Sequence, residues 1–235
     1  MGRGITRPFL FGEIMKDDKP IRVSAKTLGE LSLPNFCPKC FQIKKLAKTL
    51  PFQSFPSIFN DLDGCTKKFV HGWFDKYKCL PTWLNELGPI TGYIEPPSWR
   101  ELFVEMDGII LSGSPDGIFV QDELLVVDYK TAKFTGHQDE LFPIYEVQLN
   151  AYAYLLEKCG KGKVGSMALI YMEPNQDVID SMRGFRVELT AHILKVERKV
   201  GLVEELVKKA SEIVYGGKMV GRDKCKDCRA VEKLK

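Results

Sequence analysis

The sequence has no apolar stretch long enough to cross a bilayer, and its first residues, Met1-Gly-Arg-Gly-Ile-Thr6, lack the apolar centre of a secretion signal. A cytoplasmic protein without a membrane partner is the expectation. A strong charge bias is missing too. With 34 Lys and Arg against 31 Asp and Glu, the formal charge is only +3, so nucleic-acid binding would have to rest on local clusters rather than overall basicity. No internal repeat or low-complexity tract interrupts the chain. A disulfide framework fits poorly, because the seven cysteines are odd in number and 235 residues, 44% of them hydrophobic, can bury a core of their own.

What is present is a hairpin with charges at its end. Leu124 to Lys130 is apolar and β-branched and predicts a buried strand, whose alternation puts Asp128 and Lys130 on one face and Tyr129 on the other. Gln121-Asp-Glu123 is the polar turn before it, and Ser114-Pro-Asp116-Gly opens the preceding strand. Asp116 is thereby expected to face Asp128. Two carboxylates that close repel each other unless a cation lies between them, and oxygen ligands suit Mg²⁺ or Mn²⁺. Such an ion polarises a phosphate and activates water, with Lys130 orienting the water or stabilising charge on the phosphorane. Pro-Asp-Gly alone is common turn chemistry. Two charges at the tip of an apolar strand are harder to read as a turn.

Pro115-Asp116, Asp128-Tyr129-Lys130 and Gln148-Leu-Asn-Ala-Tyr152 together resemble the PD-(D/E)xK nuclease superfamily, and within it the RecB-like nucleases, which include CRISPR-associated exonucleases. Helical periodicity from Tyr145 to Cys159 puts Gln148 and Tyr152 on one face, and the resemblance implies that they position DNA or the phosphate. It also implies Asp116, Asp128 and the Tyr129 carbonyl as metal ligands, with an upstream His or acid completing the set. His71 is the candidate, and Asp63, Glu86 and Glu105 are alternatives; a lone His beside Trp73 and Phe74 is equally a packing residue. The implied fold is a restriction-endonuclease-like core, an α/β (α+β) arrangement with a mixed central sheet flanked by helices. The implied activity is exonucleolytic cleavage of single-stranded or frayed DNA in repair, recombination or CRISPR adaptation, with a helicase- or integrase-type partner.

Cys37-Pro-Lys-Cys40 and Cys225-Lys-Asp-Cys228 are paired knuckles near opposite ends of the chain. Four thiolates at this spacing suit either tetrahedral Zn²⁺ or an iron–sulfur cluster. RecB-like relatives favour [4Fe-4S], although they commonly divide the ligands one and three rather than two and two, which keeps Zn²⁺ open. Joining the pairs would gather Lys39, Lys44, Lys45 and Lys48 with Arg222, Lys224, Lys226, Arg229, Lys233 and Lys235 into a basic patch.

The expected organisation is an amino-terminal arm and helical lobe over residues 1–99, a nuclease core over 100–215 and a knuckle over 216–235 that packs on the lobe. The arm is expected to be loose to Pro34. Helices are predicted from Cys37 to Tyr77, broken near Pro51 and Pro56, and from His192 to Tyr215; Pro81 to Pro97 reads as a loop-rich connection. Strands are predicted at 101–106, 109–112, 117–120, 124–130, 164–172 and 183–189. Two rivals stand beside the enzyme: a non-catalytic DNA-binding or assembly subunit with a nuclease-like fold, and a Zn-ribbon interaction module with an incidental acidic hairpin.

Overall fold

Every side chain of strand β6 (Leu124–Lys130) except the last is buried, and its alternation divides the molecule. Leu124 and Val126 enter one hydrophobic core, Leu125, Val127 and Tyr129 a second on the opposite face of the sheet. The computed structural model describes residues 19–46, 58–135 and 140–233. Strands β2 (Gly92–Ile94), β5 (Gly117–Val120), β6, β7 (Val164–Ser181) and β8 (Gly184–Val196) form a sheet in that order, antiparallel except for the parallel pair β6 and β7. A smaller sheet sets β4 (Ile109–Ser112) between β1 (Ile21–Ser24), which is parallel to it, and β3 (Phe103–Met106), which is antiparallel. Helices α1 (Ala25–Gly29), α4 (Phe142–Lys158) and α5 (Leu202–Tyr215) pack into the first core, and α3 (Ile58–Tyr77) closes the second through Val70, beside the 3₁₀ turn Thr82–Leu87. The mixed α/β layering expected from the sequence is what the chain forms.

Three expectations about elements are corrected. From Lys19 onward the arm is not loose: Val23 is fully buried in β1, and Ser24 caps α1 by accepting the Thr27 amide at 3.1 Å. Its four-residue strand is too short to stand out from the polar residues around it. The helix predicted from His192 begins at Leu202. His192 to Val196 is strand, and Gly201, at φ +81°, separates the two elements. The strands given as 164–172 and 183–189 are the first parts of two longer strands, each pairing with the later part of the other, and the hairpin continues past Pro174 with a shift of register there. The connection Pro81 to Pro97 contains the 3₁₀ turn and β2. Lys48, Lys235 and the breaks expected at Pro51 and Pro56 lie outside the described residues.

Helix α1 lies unusually close to α4. A Cβ built on Gly29 would stand 2.4 Å from the Ile144 carbonyl oxygen, so only glycine permits this approach. Gly29→Ala should therefore lower stability by about 1–3 kcal/mol in denaturant titrations, and an unchanged midpoint would show that the helices can separate freely.

Candidate active site and cysteine centre

Asp128 is 1% exposed although it carries a charge, and three neighbours hold it. Lys130, two residues along the same strand face, forms an ion pair with Oδ2, and Gln148 Nε2 donates to Oδ1 at 3.0 Å. Asp116 stands across the β5–β6 pair, where its Oδ2 accepts the Tyr129 amide at 2.8 Å. Burial pushes the Asp128 carboxyl up to about 7, with Asp116 adding to the rise and Lys130 opposing it. Burial pulls the Lys130 ammonium down, but Asp128 and Asp116 outweigh it and the net shift is upward.

Helix α4 supplies the next layer. Gln148 and Tyr152 are four apart on one face, both buried, and Gln148 Nε2 also donates to the Tyr152 hydroxyl at 2.7 Å. Gln148 Oε1 accepts from Lys130 at 3.4 Å, so one amide links strand, lysine and tyrosine. Gly113 makes room: a Cβ there would stand 2.6 Å from the Tyr152 ring. Tyr129 points into the second core, and burial, then Asp116 and Asp63, raise its hydroxyl's pKa.

The third contribution comes from α3, but not through His71. That ring stacks on Tyr93 at 4.1 Å with Nδ1 3.4 Å from Glu95. The residues that α3 brings to the hairpin are Asp63, one of the alternative ligands, and Lys67, which sequence reasoning missed. Lys67 Nζ lies 2.7 Å from Asp63 Oδ2 and 2.7 Å from Asp116 Oδ1. Burial and then Asp116 raise the Asp63 pKa, against the pull of Lys67. Glu86 and Glu105 are exposed on the 3₁₀ turn and on β3. The i, i+4 spacing of Asp63 and Lys67 was visible, yet it resembles any surface helical ion pair.

Four buried side-chain polar atoms lack a directed hydrogen bond among the described residues, and three belong here: Asp63 Oδ1, Asp128 Oδ2 and Tyr129 Oη. Asp128 Oδ2 touches the Lys130 ammonium without such geometry. Unsatisfied buried carboxylate oxygens, in a cluster of three acids, fit a hard divalent cation.

At the other centre, the loop before α6 (Lys226–Lys233) meets α2 (Pro38–Leu46). Cys37 and Cys40 come from α2 and the residue before it, and Cys225 and Cys228 from α6 and the residue before it. Their sulfurs all lie within 4.8 Å of one another: Cys37–Cys228 is 3.5 Å, Cys40–Cys228 3.5 Å and Cys40–Cys225 3.6 Å. Such a group can bind a metal. Burial pushes the Cys37 thiol up, but the Arg222 amide, 3.3 Å from its sulfur, leads the groups that bring it down to about 6. Gln42, 1% exposed, fastens the arrangement by donating to the Ile213 carbonyl at 2.8 Å and accepting the Met219 amide at 3.2 Å. Lys39, Lys218, Arg222, Lys224 and Arg229 line a pocket of about 440 Å³ over the cysteines, with Asp223 opposing them. Lys44 lies elsewhere, paired to Glu30 at 2.6 Å.

Lys67 occupies Asp116 Oδ1, an oxygen that a divalent ion would use, so ammonium and ion compete for it. Lys67→Met should tighten Mn²⁺ binding roughly tenfold, read calorimetrically or from the free-ion paramagnetic signal. Weaker binding in the variant would show that Lys67 builds the locus instead of competing for it.

A family model of the PD-(D/E)XK nuclease superfamily matches residues 80–232. The crystal structure of SSO0001 is similar at 12% identity, with a TM-score of 0.43, over 88% of this chain and 82% of that one. No curated protein matches the sequence significantly. No helix among the described residues is long and apolar enough to cross a membrane. The family match takes in the Asp116 loop, the Asp128–Lys130 strand and the Gln148 helix over well more than half of the chain, which belongs to the PD-(D/E)XK nuclease superfamily.

Proposed function

We propose that the protein is a Mg²⁺- or Mn²⁺-dependent DNA nuclease of the RecB-like kind, an exonuclease acting on single-stranded or frayed ends. The observation that carries this reading is the buried Asp128, held between Lys130 and Gln148 and facing Asp116. Asp116, Asp128 and Asp63 would hold the ion, with the Tyr129 carbonyl as a further donor. When bound, the ion lowers the pKa of a water and neutralises charge on the phosphate.

The chain's own residues do the rest. Gln148 fixes the Asp128 carboxylate through Oδ1, leaving Oδ2 turned toward Lys130. Lys130 Nζ, next to the acids, donates to the attacking water or to an equatorial phosphate oxygen as charge builds there. Water oxygen bonds to phosphorus as the bond to the ester oxygen breaks, and the proton that the water sheds passes through solvent to the departing oxygen. Tyr152 anchors Gln148 from behind. A place in repair, recombination or CRISPR adaptation, beside a helicase- or integrase-type partner, follows from the RecB-like resemblance.

The cysteine centre takes one tetrahedral ion, Zn²⁺, in this reading. Four thiolates about 2.3 Å from a zinc ion stand about 3.8 Å apart, close to the 3.5–3.6 Å separations present. A [4Fe-4S] cubane, with irons and sulfides between the thiolates, needs them farther apart, and the sulfur separations therefore support zinc over the cluster. Either centre joins positions separated by 191 residues and stabilises the folded state.

End-labelled single-stranded DNA with Mn²⁺ should be shortened by the wild-type protein, and Lys130→Ala should slow this at least about 100-fold. Metal binding without cleavage would instead favour the non-catalytic DNA-binding subunit. Purified protein should be colourless with stoichiometric zinc, and Cys225→Ser should lose roughly 3 kcal/mol or more of stability. A brown sample containing iron would return the centre to the cluster.

A further inference from the structure

One flank of α3 carries an aromatic row that the nuclease cluster does not use. Phe69, Trp73 and Tyr77 recur every four residues, with ring centroids 5.8 Å apart for the first pair and 4.5 Å for the second. Phe69 and Tyr77 are about half exposed, at 51% and 50%. That is costly for side chains of this size unless the surface has an occupant. Behind the row, Trp83 stacks on Phe69 at 6.4 Å and packs against the second core, which fixes the platform to the body of the protein.

The surroundings are cationic. Lys68, Gly72 and Lys76 complete a groove of about 350 Å³ along the row, and Lys76 Nζ lies 4.8 Å over the Tyr77 ring. Two acids of the same helix are engaged elsewhere, Asp63 by Lys67 and Asp75 by the Tyr93 hydroxyl. Phe69 is two residues beyond Lys67 on the helix, so the row lies on a different face of α3 from the one that meets the carboxylate cluster.

We propose that this groove is a stacking platform that holds single-stranded DNA to the nuclease: bases lie on Phe69, Trp73 and Tyr77 while Lys68 and Lys76 hold the phosphates. The proposal rests on the nuclease reading for its substrate and adds how that substrate is chosen. Successive ring centroids are 5.8 and 4.5 Å apart, wider than the roughly 3.4 Å repeat of a stacked strand. Only an unstacked strand can therefore place one base on each ring, and a duplex cannot. A helix offers no free strand edge for an extended peptide, which leaves ring faces and ammonium groups as the recognition chemistry.

Binding of labelled oligo(dT), read by anisotropy without added divalent metal, separates this from cleavage. Phe69→Ala with Tyr77→Ala should weaken it about tenfold or more, and Phe69→Trp should keep it. An oligonucleotide of abasic units should lose a similar factor on the wild-type protein and little further on the double variant. Gly72→Glu, whose Cβ meets nothing within 4 Å, puts a carboxylate in the groove without disturbing the fold and should also weaken binding. Unchanged affinity in all three variants, or equal affinity for abasic and normal strands, overturns the platform and assigns the groove to a protein or lipid partner. Binding that depends on the aromatic row without cleavage removes the nuclease reading alone; intact cleavage with binding independent of the row removes this proposal alone.

Discussion

The structure depends on keeping a carboxylate, Asp128, inside an apolar sheet. A strand that buries six of its seven residues accepts such a group only if the loss of water is offset locally. Lys130 comes from the same strand face and Gln148 from α4, so sheet and helix must be registered to within a hydrogen bond. That registration rests on small residues. Gly113 lets Tyr152 reach Gln148, and Gly29 lets α1 lie against α4. The site is thus a consequence of how closely the layers approach.

The second constraint is loop closure. The two cysteine pairs bring almost the whole chain back on itself, and Gln42 ties α2 to the segment that leads to the second pair. Neither α2 nor α6 is long enough to be stable alone, at nine and eight residues, so their packing and the thiolate centre must support each other. The same closure adds Lys39 to the cations that Lys218, Arg222, Lys224 and Arg229 already bring to the basic pocket.

Sequence alone disclosed what depends on period and chemistry. The bounds of β6, the shared face of Asp128 and Lys130, and the meeting of four cysteines all followed from residue type and spacing. The missed features depend on contacts between distant segments. Val23 in β1 is buried only because β4 pairs beside it. Lys67 looked like half of a surface ion pair until Asp116 arrived from the hairpin. His71 and Asp63 lie on one helix, and local pattern could not decide which of them the fold turns toward Asp116. The start of α5 was misplaced for another reason: Val196 lies two residues after Leu194, the strand period, and four before Val200, the helical one.

The two lysines also set the charge that a substrate would meet. With all groups ionised, three carboxylates against Lys67 and Lys130 leave one negative charge, which would repel a phosphodiester. A divalent ion reverses this to one positive charge, equal and opposite to a single backbone phosphate. Asp128, with its pKa near neutrality, lessens the mismatch in the ion-free protein by taking a proton part of the time. If the ion displaces Lys67 from Asp116, the freed ammonium keeps its place on the face of α3 that meets the hairpin. Metal loading and phosphate binding are then coupled through one side chain, because the cation that leaves the carboxylates becomes available to the phosphate.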